Sequence, residues 1–325
     1  MRPLAVALGY PAGIGPEVVA GAWERRASER LPPFVAVGDP DAVRAVWRGP
    51  VCEVGDLDAS GFADALPVLP VGLTSDASPG APTPDGARVA LRSLEIAADL
   101  ALAGEAGGIV TAPVSKAELY AIGFRHPGQT EWVTARCGLP ADATAMMLAG
   151  PTLRTVPVTT HLPLAKVPGA LSVERIVAQA RITLAALSRD FGIAAPRLAV
   201  AGLNPHAGEG GALGREDEEV VRPAVDQLRR DGQQAQGPLP ADTMFHPRAR
   251  AGYDAALCMY HDQALIPLKA LHFDEGVNVT LGLPIVRTAP DHGTAFAIAG
   301  KGLAEPGAMS AAIRMAGEMA ARRAA

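Results

Sequence analysis

The chain has 325 residues, with 29 Lys and Arg against 34 Asp and Glu, and a formal net charge of −5. This length is enough for two domains or for one large α/β unit, and such a chain buries a core without disulfides or a structural metal. The slight acidic balance excludes an electrostatic footprint for nucleic acid or an acidic membrane, and no apolar run approaches the ~20 residues that span a bilayer.

Short apolar runs alternate along the chain with longer amphipathic stretches. The predicted strands are, in order, PLAVALG, PFVAVGD, GGIVTAP, RTVPVTTH, RLAVAGLN and AALCMYHD. The predicted helices are ARVALRSLEIAADLALAG, VERIVAQARITLAALSRDFG and EDEEVVRPAVDQLRRDG. This alternation predicts an α/β fold with a largely parallel sheet. The glycines and proline after the first run predict a strand and turn, not a signal peptide, and residues 58–84 and 232–252 are expected to be irregular.

Three histidines follow predicted strands at the point where each strand ends. They are His161, His206 and His261, and Asp262 comes directly after the last of them. Ligands of open parallel sheets bind beyond the carboxyl ends of the strands. Three imidazoles with a nearby carboxylate therefore predict a divalent-metal site that keeps a position open for substrate. A hydrogen-bonded structural role for each histidine is the alternative, because no local H-x-x-x-H spacing links them.

Several segments are candidates for holding an anion. GYPAGIGPE, residues 9–17, fits a turn that presents backbone N–H groups to a phosphate, or a tight turn with Pro16 at a helix start. Arg287 follows another apolar run and suits bidentate capture of an anion. Lys269 lies eight residues beyond His261 in the sequence and can reach the same zone.

The turn TAPVSKAEL, residues 111–119, also follows a predicted strand. Thr111 and Ser115 fit contacts with a polar substrate, and Lys116 fits a contact with a carboxylate or phosphate. Ser115 with Glu118 equally fits a helix capping box. The chain has four lysines, Lys116, Lys166, Lys269 and Lys301, beside a large excess of arginine. Retention for amine chemistry and chance survival on a solvated face are both open for each lysine.

Motifs across nearly the whole chain resemble the PdxA family of 4-hydroxythreonine-4-phosphate dehydrogenases. In order they are GYPAGIGPE, TAPVSKAELYAIGFRHPGQTE, VPVTTHLPL, GLNPHAGEGGALGREDEE, GPLPADTMF, MYHDQALIPLK and GVNVTLGLPIVRTAPDHGTAFAIAGKG. The resemblance implies a two-domain α/β fold like that of isocitrate and isopropylmalate dehydrogenases, with the active-site cleft between the domains. The implied outer, cofactor-associated domain is residues 1–127 plus 275–325. Residues 128–274 would form the central domain, with the dimer contacts and metal ligands.

The implied activity is NAD-dependent oxidation and decarboxylation of 4-phosphooxy-L-threonine to 3-amino-2-oxopropyl phosphate, CO2 and NADH, in pyridoxal 5'-phosphate biosynthesis. NADP is an alternative cofactor, and one divalent ion (zinc, magnesium or cobalt) is expected per active site. The resemblance also implies a homodimer with the active site near its interface. Three cysteines without C-x-x-C spacing agree with a reducing, cytoplasmic location. The competing predictions are a related dehydrogenase of another phosphorylated hydroxy acid or of a dihydrodiol, and a non-catalytic binding protein.

The resemblance assigns roles to residues in four groups. The metal ligands are His161, His206 and His261. The substrate-binding residues are Gln129, Thr130, Lys269, Asn278 and Arg287. The catalytic candidates are Lys269, Asp262 and Asp242; the proton acceptor is left open between Asp262 and Lys269, and Asp242 matches an acidic residue beside the metal site. The cofactor-binding residues are Thr288, Asp291, His292, Gly293 and Thr294.

Two positions depart from the family pattern. Gln129 replaces a substrate-facing histidine, so this position keeps its hydrogen bonds but cannot become cationic near neutral pH. His126 nearby is a candidate replacement for that imidazole. Tyr10 stands where the first motif normally has Asp. Both departures leave the reaction type unchanged and leave the identity of the substrate open.

Overall fold

The computed structural model describes residues 2–325, in which strands and helices alternate along most of the chain. The strands are β1 (Leu4–Ala7), β2 (Phe34–Gly38), β3 (Val51–Glu53), β4 (Leu66–Pro70), β5 (Ile109–Thr111), β6 (Ala145–Ala149), β7 (Arg154–Pro157), β8 (Arg197–Ala201), β9 (Gln234–Leu239), β10 (Ala255–Cys258), β11 (Val277–Leu281) and β12 (Arg287–Pro290). The α-helices are α1 (Gly15–Glu24), α2 (Pro40–Val46), α3 (Pro84–Leu102), α4 (Lys116–Ala121), α5 (Gln129–Arg136), α6 (Val167–Ala170), α7 (Val173–Arg189), α8 (Arg222–Arg230), α9 (Ala241–Met244), α10 (Pro247–Arg250), α11 (His261–His272) and α12 (Gly307–Ala324). The α/β class predicted from the sequence is confirmed.

The chain divides into two units. The first unit extends to Ala141 and resumes from Leu283 to Ala325, and the second unit is Asp142–Gly282. The second unit therefore begins after α5, whereas the sequence placed its start at residue 128. The physical reason is that α5 packs Val133 into the apolar core of the first unit. The later boundary, expected near residue 274, falls beyond β11, so Asn278 belongs to the second unit.

In the first unit, parallel strands lie in the order β3-β4-β2-β1-β5-β12. The central strands β1 and β2 are buried along their whole length, as expected for a parallel sheet covered on both faces. Helix α3 packs on these strands, and the buried Ser93 hydroxyl donates to the carbonyl oxygen of Val37 at 2.6 Å. This arrangement places the carboxyl ends of β5 and β12 side by side.

In the second unit, strands lie in the order β11-β6-β7-β10-β8-β9. The pairs β11-β6 and β6-β7 are antiparallel, and β7, β10, β8 and β9 run parallel to one another. Strands β7, β10 and β8 are therefore immediate parallel neighbours. These are the strands that precede His161, His261 and His206, so the expectation that the three histidines follow equivalent strand ends is confirmed.

Two strands lie in segments that were expected to be irregular. Strand β4 falls within residues 58–84, and β9 falls within residues 232–252. Strand β9 has the sequence QAQGPL and lies at an edge of its sheet, where no continuous apolar run is needed. No helix in residues 2–325 combines the length and apolarity required to cross a membrane.

Candidate active site

In the first unit, one arginine is buried among three hydrogen-bond acceptors. Arg287 opens β12 and is 4% exposed. Its Nη1 donates to Thr130 Oγ1 at 3.1 Å, and its Nη2 donates to Thr111 Oγ1 at 2.9 Å and to Gln129 Oε1 at 3.4 Å. Thr111 ends β5, and the other two residues form the first turn of α5. The sheet order and the start of one helix therefore build this cluster.

The guanidinium of Arg287 remains cationic at neutral pH. Burial lowers the pKa of Arg287 to about 10, and the carboxylate of Glu131 opposes that decrease. The three acceptors around the guanidinium are uncharged hydroxyl and amide oxygens. A buried guanidinium cation at this position fits the recognition of an anionic substrate group.

The side-chain amide of Gln129 is oriented by hydrogen bonds at both ends. Its Nε2 donates to the carbonyl oxygen of Ala112 at 3.2 Å, while its Oε1 accepts from Arg287. An amide can make this pair of contacts at any pH, because it does not titrate. The structure thus brings together Gln129, Thr130 and Arg287, three of the five predicted substrate-binding residues.

The other two predicted substrate-binding residues belong to the second unit. Asn278 lies on β11, and its buried Oδ1 has no hydrogen-bond partner within residues 2–325. Such a buried acceptor calls for a partner outside the described chain. Lys269 is half-buried on α11.

Two of the predicted metal ligands lie side by side in the second unit. The ring centroids of His161 and His261 are 5.5 Å apart. His261 Nδ1 lies 2.7 Å from Asp262 Oδ1, which orients the ring and leaves its Nε2 for another partner. Both imidazoles line a cavity of about 220 Å³ that Tyr260 also lines.

The third histidine lies in a loop with an unusual backbone. His206, at φ 53°, opens a run of five residues in the left-handed region, which ends at Gly210. Left-handed backbone is costly for residues with a β-carbon and accumulates at functional sites. The buried Asp217 carboxylate holds the start of this loop by accepting from the backbone N–H groups of Leu203 and Asn204 at 2.7 and 3.0 Å.

The histidines fit a divalent ion by donor chemistry and only partly by placement. Imidazole nitrogens suit zinc and cobalt, and His161, which also has a left-handed φ of 52°, joins His261 at one cavity. Among residues 2–325, however, no three His, Cys, Asp or Glu side chains are grouped as they would be around a metal ion. The structure therefore pairs His161 with His261 and does not group His206 with them. Asp242 is exposed on the short helix α9.

The predicted cofactor segment has a buried start and an accessible end. The Thr288 hydroxyl is fully buried and donates to the carbonyl oxygen of Ala312 at 2.8 Å, so its role in the structure is a core contact. Asp291, His292 and Thr294 are partly exposed. Gly293 is exposed and has open space where a β-carbon would be.

The glycine-rich turn after β1 packs against this segment. Ile14 N donates to the carbonyl oxygen of Thr294 at 3.0 Å. Gly9 has a φ of +68°, and a β-carbon there would lie 2.4 Å from the Pro113 carbonyl oxygen. At Gly15 a β-carbon would lie 2.1 Å from the carbonyl oxygen of Leu8. Close packing alone accounts for these glycines, so the tight turn at the start of α1 is the alternative that the geometry supports.

Comparison with known proteins identifies the family. The family described as pyridoxal phosphate biosynthetic protein PdxA matches residues 31–316. The chain belongs to the PdxA family. It is 59% identical to the 4-hydroxythreonine-4-phosphate dehydrogenase of Erythrobacter litoralis, over 99% of this chain and 98% of that protein. It is 53% identical to the protein of that name from Zymomonas mobilis, over 99% of this chain and 97% of its relative. The predicted family, oxidoreductase class and place in pyridoxal phosphate biosynthesis are confirmed.

Solved structures agree with the family and add one other activity. The 4-hydroxythreonine-4-phosphate dehydrogenase of Klebsiella pneumoniae superposes with a TM-score of 0.87 at 34% identity, covering 98% of this chain and 100% of that one. A terephthalate 1,2-cis-dihydrodiol dehydrogenase from Burkholderia xenovorans has a TM-score of 0.67 at 30% identity, covering 97% of each chain. The same fold therefore serves a dihydrodiol dehydrogenase, which was one of the competing predictions.

Proposed function

We propose that this chain is a 4-hydroxythreonine-4-phosphate dehydrogenase that uses NAD to oxidise 4-phosphooxy-L-threonine and then releases CO2. The main support is identity of 50–59% over essentially the full length to curated relatives of that name. The buried Arg287, held by uncharged acceptors, supports a substrate with an anionic group.

The chain's own residues divide the work of substrate binding. Arg287, Thr130 and Gln129 bind an anionic end of the substrate in the first unit. Asn278 offers its buried Oδ1 to a donor on the substrate, and Lys269 supplies a second cation. Holding the substrate at several points fixes the carbon that loses hydride relative to the nicotinamide ring.

His161, His206 and His261 are the proposed ligands of one divalent ion, with zinc, magnesium and cobalt as the candidates. When bound, such an ion acts as a Lewis acid toward the substrate alcohol and the carbonyl oxygen that replaces it. Asp262 contributes by orienting the His261 ring. A calorimetric titration of chelator-treated protein with each ion tests this assignment without any turnover.

The reaction requires a base and a hydride acceptor. The substrate hydroxyl loses its proton to Asp262 or, in place of the cationic role given above, to Lys269, while the hydrogen on the same carbon leaves as hydride for NAD. The new ketone lies β to the carboxylate, so the bond to the carboxylate breaks, its electron pair forms the enolate of the ketone and CO2 departs. Protonation of the enolate carbon then gives 3-amino-2-oxopropyl phosphate. We assign the nicotinamide cofactor, NAD or NADP, to residues 291–294, because Thr288 is committed to the core.

The proposal includes a cytoplasmic homodimer with the active site near its interface. Exposed apolar side chains beside the histidine pair support this arrangement. Leu162 is 40% exposed and Leu164 is 67% exposed, and both line the cavity with His161. Apolar side chains exposed around a polar site are typical of an interface.

A substrate panel tests the function directly. Purified protein is supplied with NAD and, in turn, zinc, magnesium or cobalt, and the formation of NADH and CO2 is measured. We expect both products from 4-phosphooxy-L-threonine at a higher kcat/KM than from a phosphorylated tetronate or a cis-dihydrodiol. Preference for either competitor would replace the proposal by the corresponding related activity. The similar dihydrodiol dehydrogenase structure and the Gln129 substitution are the reasons for including these competitors.

A further inference from the structure

One cation near the Arg287 cluster has no role in the function described so far. Lys116 is the first residue of α4, and its side chain is exposed. The end of its side chain lies beside Gly128, the N-cap of α5. A β-carbon built on Gly128 would lie 3.5 Å from Lys116 Cε and 3.6 Å from Lys116 Nζ. None of the hydrogen bonds and ion pairs within residues 2–325 involves the Lys116 amine. We propose that Lys116 is a further substrate-binding residue, which binds the phosphate group; this inference rests on the proposed function.

The amine lies where positive charge is already concentrated. The start of a helix carries the positive end of its dipole, and the Lys116 side chain ends beside Gly128, the N-cap of α5. The first turn of α5 also carries Gln129 and Thr130, both of which contact the cationic Arg287. A second cation beside this turn suits an anionic ligand better than a structural role.

The nearest carboxylate does not remove the need for an anion. A β-carbon on Gly128 would lie 3.1 Å from Glu131 Oε2, so this carboxylate and the Lys116 amine share one glycine surface. The two groups nevertheless form no ion pair with each other. Glu131 also acts on Arg287, so one carboxylate faces two cations and two helix starts.

The charge of the ligand explains why a second cation is needed. A phosphate monoester carries a charge of roughly −1.5 to −2 at neutral pH, and one guanidinium supplies a single positive charge. The lysine ammonium acts on phosphate as a compact point charge, which does not require the planar geometry that arginine imposes. Arg287 and Lys116 together supply two positive charges for one phosphate.

Gly128 is part of the same inference. Any β-carbon at this N-cap would contact the end of the Lys116 side chain and the Glu131 carboxylate. The backbone of Gly128 is extended, at φ −172° and ψ −176°, a conformation that other residues also adopt. The glycine is therefore required for space and not for its backbone conformation. We expect Gly128→Ala to shift the Lys116 amine and to weaken phosphate binding without removing any charge.

The test uses Lys116→Met, Lys116→Arg and the matched control Lys301→Met, which removes another exposed lysine of the first unit. KM is measured for 4-phosphooxy-L-threonine and for unphosphorylated 4-hydroxy-L-threonine, and inorganic phosphate is titrated by calorimetry. For Lys116→Met we expect KM for the phosphorylated substrate to rise about tenfold or more, and phosphate affinity to fall by a similar factor. KM for the unphosphorylated substrate and for NAD should stay within about twofold, as should every constant of Lys301→Met. Lys116→Arg should recover most of the affinity.

Equal increases in KM for both substrates would overturn the inference, since they would assign Lys116 to a group other than phosphate. Unchanged phosphate affinity in Lys116→Met, or no phosphate binding by the unmodified protein, would overturn it as well. Failure of the proposed function is a separate result: the unmodified protein would form no NADH from 4-phosphooxy-L-threonine. In that case the phosphate titration still decides whether Lys116 binds the anion.

Discussion

The candidate site residues fall into two groups, one in each unit, which are built in opposite ways. In the first unit, Arg287 is buried, and its guanidinium donates hydrogen bonds to three neighbouring side chains. In the second unit, His206 and His161 are exposed, and both have a left-handed backbone. The Arg287 cluster is preorganised by packing, whereas these two histidines have a strained backbone and lie open to solvent.

This difference predicts how the Arg287 cluster and the three histidines each respond to ligand binding. A preorganised cation binds an anion without rearrangement, so little binding free energy is lost in ordering the side chains. The three imidazoles are not grouped as they would be around a metal ion, although His161 and His261 lie side by side, so their final geometry depends on the ion that they bind. We therefore expect anion binding to depend little on metal, and metal binding to determine the rate of the chemical step.

The largest effect on activity should come from a substitution in the Arg287 cluster. Arg287→Lys keeps the charge but removes the planar fork that contacts Thr111, Thr130 and Gln129. We expect kcat/KM for 4-phosphooxy-L-threonine to fall about a hundredfold or more, because the shorter set of donors leaves buried acceptors unpaired. Arg314→Lys is the control, since Arg314 pairs with Glu29 at the surface of the same unit and should stay near the unmodified value. Equal effects of both variants would contradict the assignment.

A similar or somewhat smaller effect, on metal affinity, should come from a substitution among the three histidines. His206→Asn removes the imidazole but keeps a residue type that tolerates left-handed backbone, so the loop should be retained. We expect affinity for zinc or cobalt, measured by calorimetry, to fall about tenfold to a hundredfold, with a matching loss of turnover at limiting metal. His246→Asn, which alters another exposed histidine of the second unit, should bind metal normally. Unchanged metal affinity in His206→Asn would remove this residue from the ligand set.

A moderate effect should appear when the uncharged amide at position 129 becomes titratable. In Gln129→His, an imidazole next to Arg287 would take up a proton only below about pH 6.5, and would then attract the substrate anion. We expect the KM ratio of the variant to the unmodified protein to fall a few-fold between pH 7.5 and about 5.5. The ratio is used because the substrate phosphate titrates in the same range. A ratio that is constant with pH would show that this side chain does not act on the anion.

The smallest effect concerns stability and not substrate or metal binding. His272, at the end of α11, accepts from Thr152 N through Nε2, which must therefore be unprotonated. Burial, with a contribution from Arg250, lowers the pKa of His272 below its ordinary value near 6.5, and Glu275 opposes this change. The unfolded chain then binds the proton more readily, so the stabilisation is present above about pH 6.5 and is lost as pH falls through the folded pKa.

Thermal unfolding followed from pH 8 to pH 5.5 checks this linkage. We expect the melting temperature of the unmodified protein to decrease below about pH 6.5, and His272→Gln to show a weaker dependence on pH over the same range. Parallel curves for the two proteins would contradict the role of His272.

Much of this architecture could be predicted because apolar runs determine buried strands. Strands β1, β2, β5, β7, β8 and β10 all fall within predicted runs. The edge strand β9 was missed, since its stability comes from pairing with β8 and not from its own composition. The boundary near α5 was also missed, because it depends on which core Val133 joins.

The site was predictable where residue type alone carries the chemistry. Arg287 and the histidines that follow strands are such cases. Asp217 and Gln263 were not identified: Gln263 Nε2 donates to the Gly202 carbonyl oxygen at 2.7 Å, and its Oε1 accepts from Met259 N at 2.7 Å. These side chains hold the loops that carry the histidines, and only the acidic GREDEE stretch hinted at one of them. Supporting contacts of this kind depend on tertiary distances, which the spacing of residues does not reveal.

The most direct measurement is the affinity for 4-phosphooxy-L-threonine of unmodified protein and Arg287→Lys, each with and without a bound divalent ion. Our account predicts that Arg287→Lys weakens binding by the same factor, within about threefold, whether or not the ion is present, because the anion site is preorganised. An effect of Arg287→Lys that disappears when the ion is removed would contradict it.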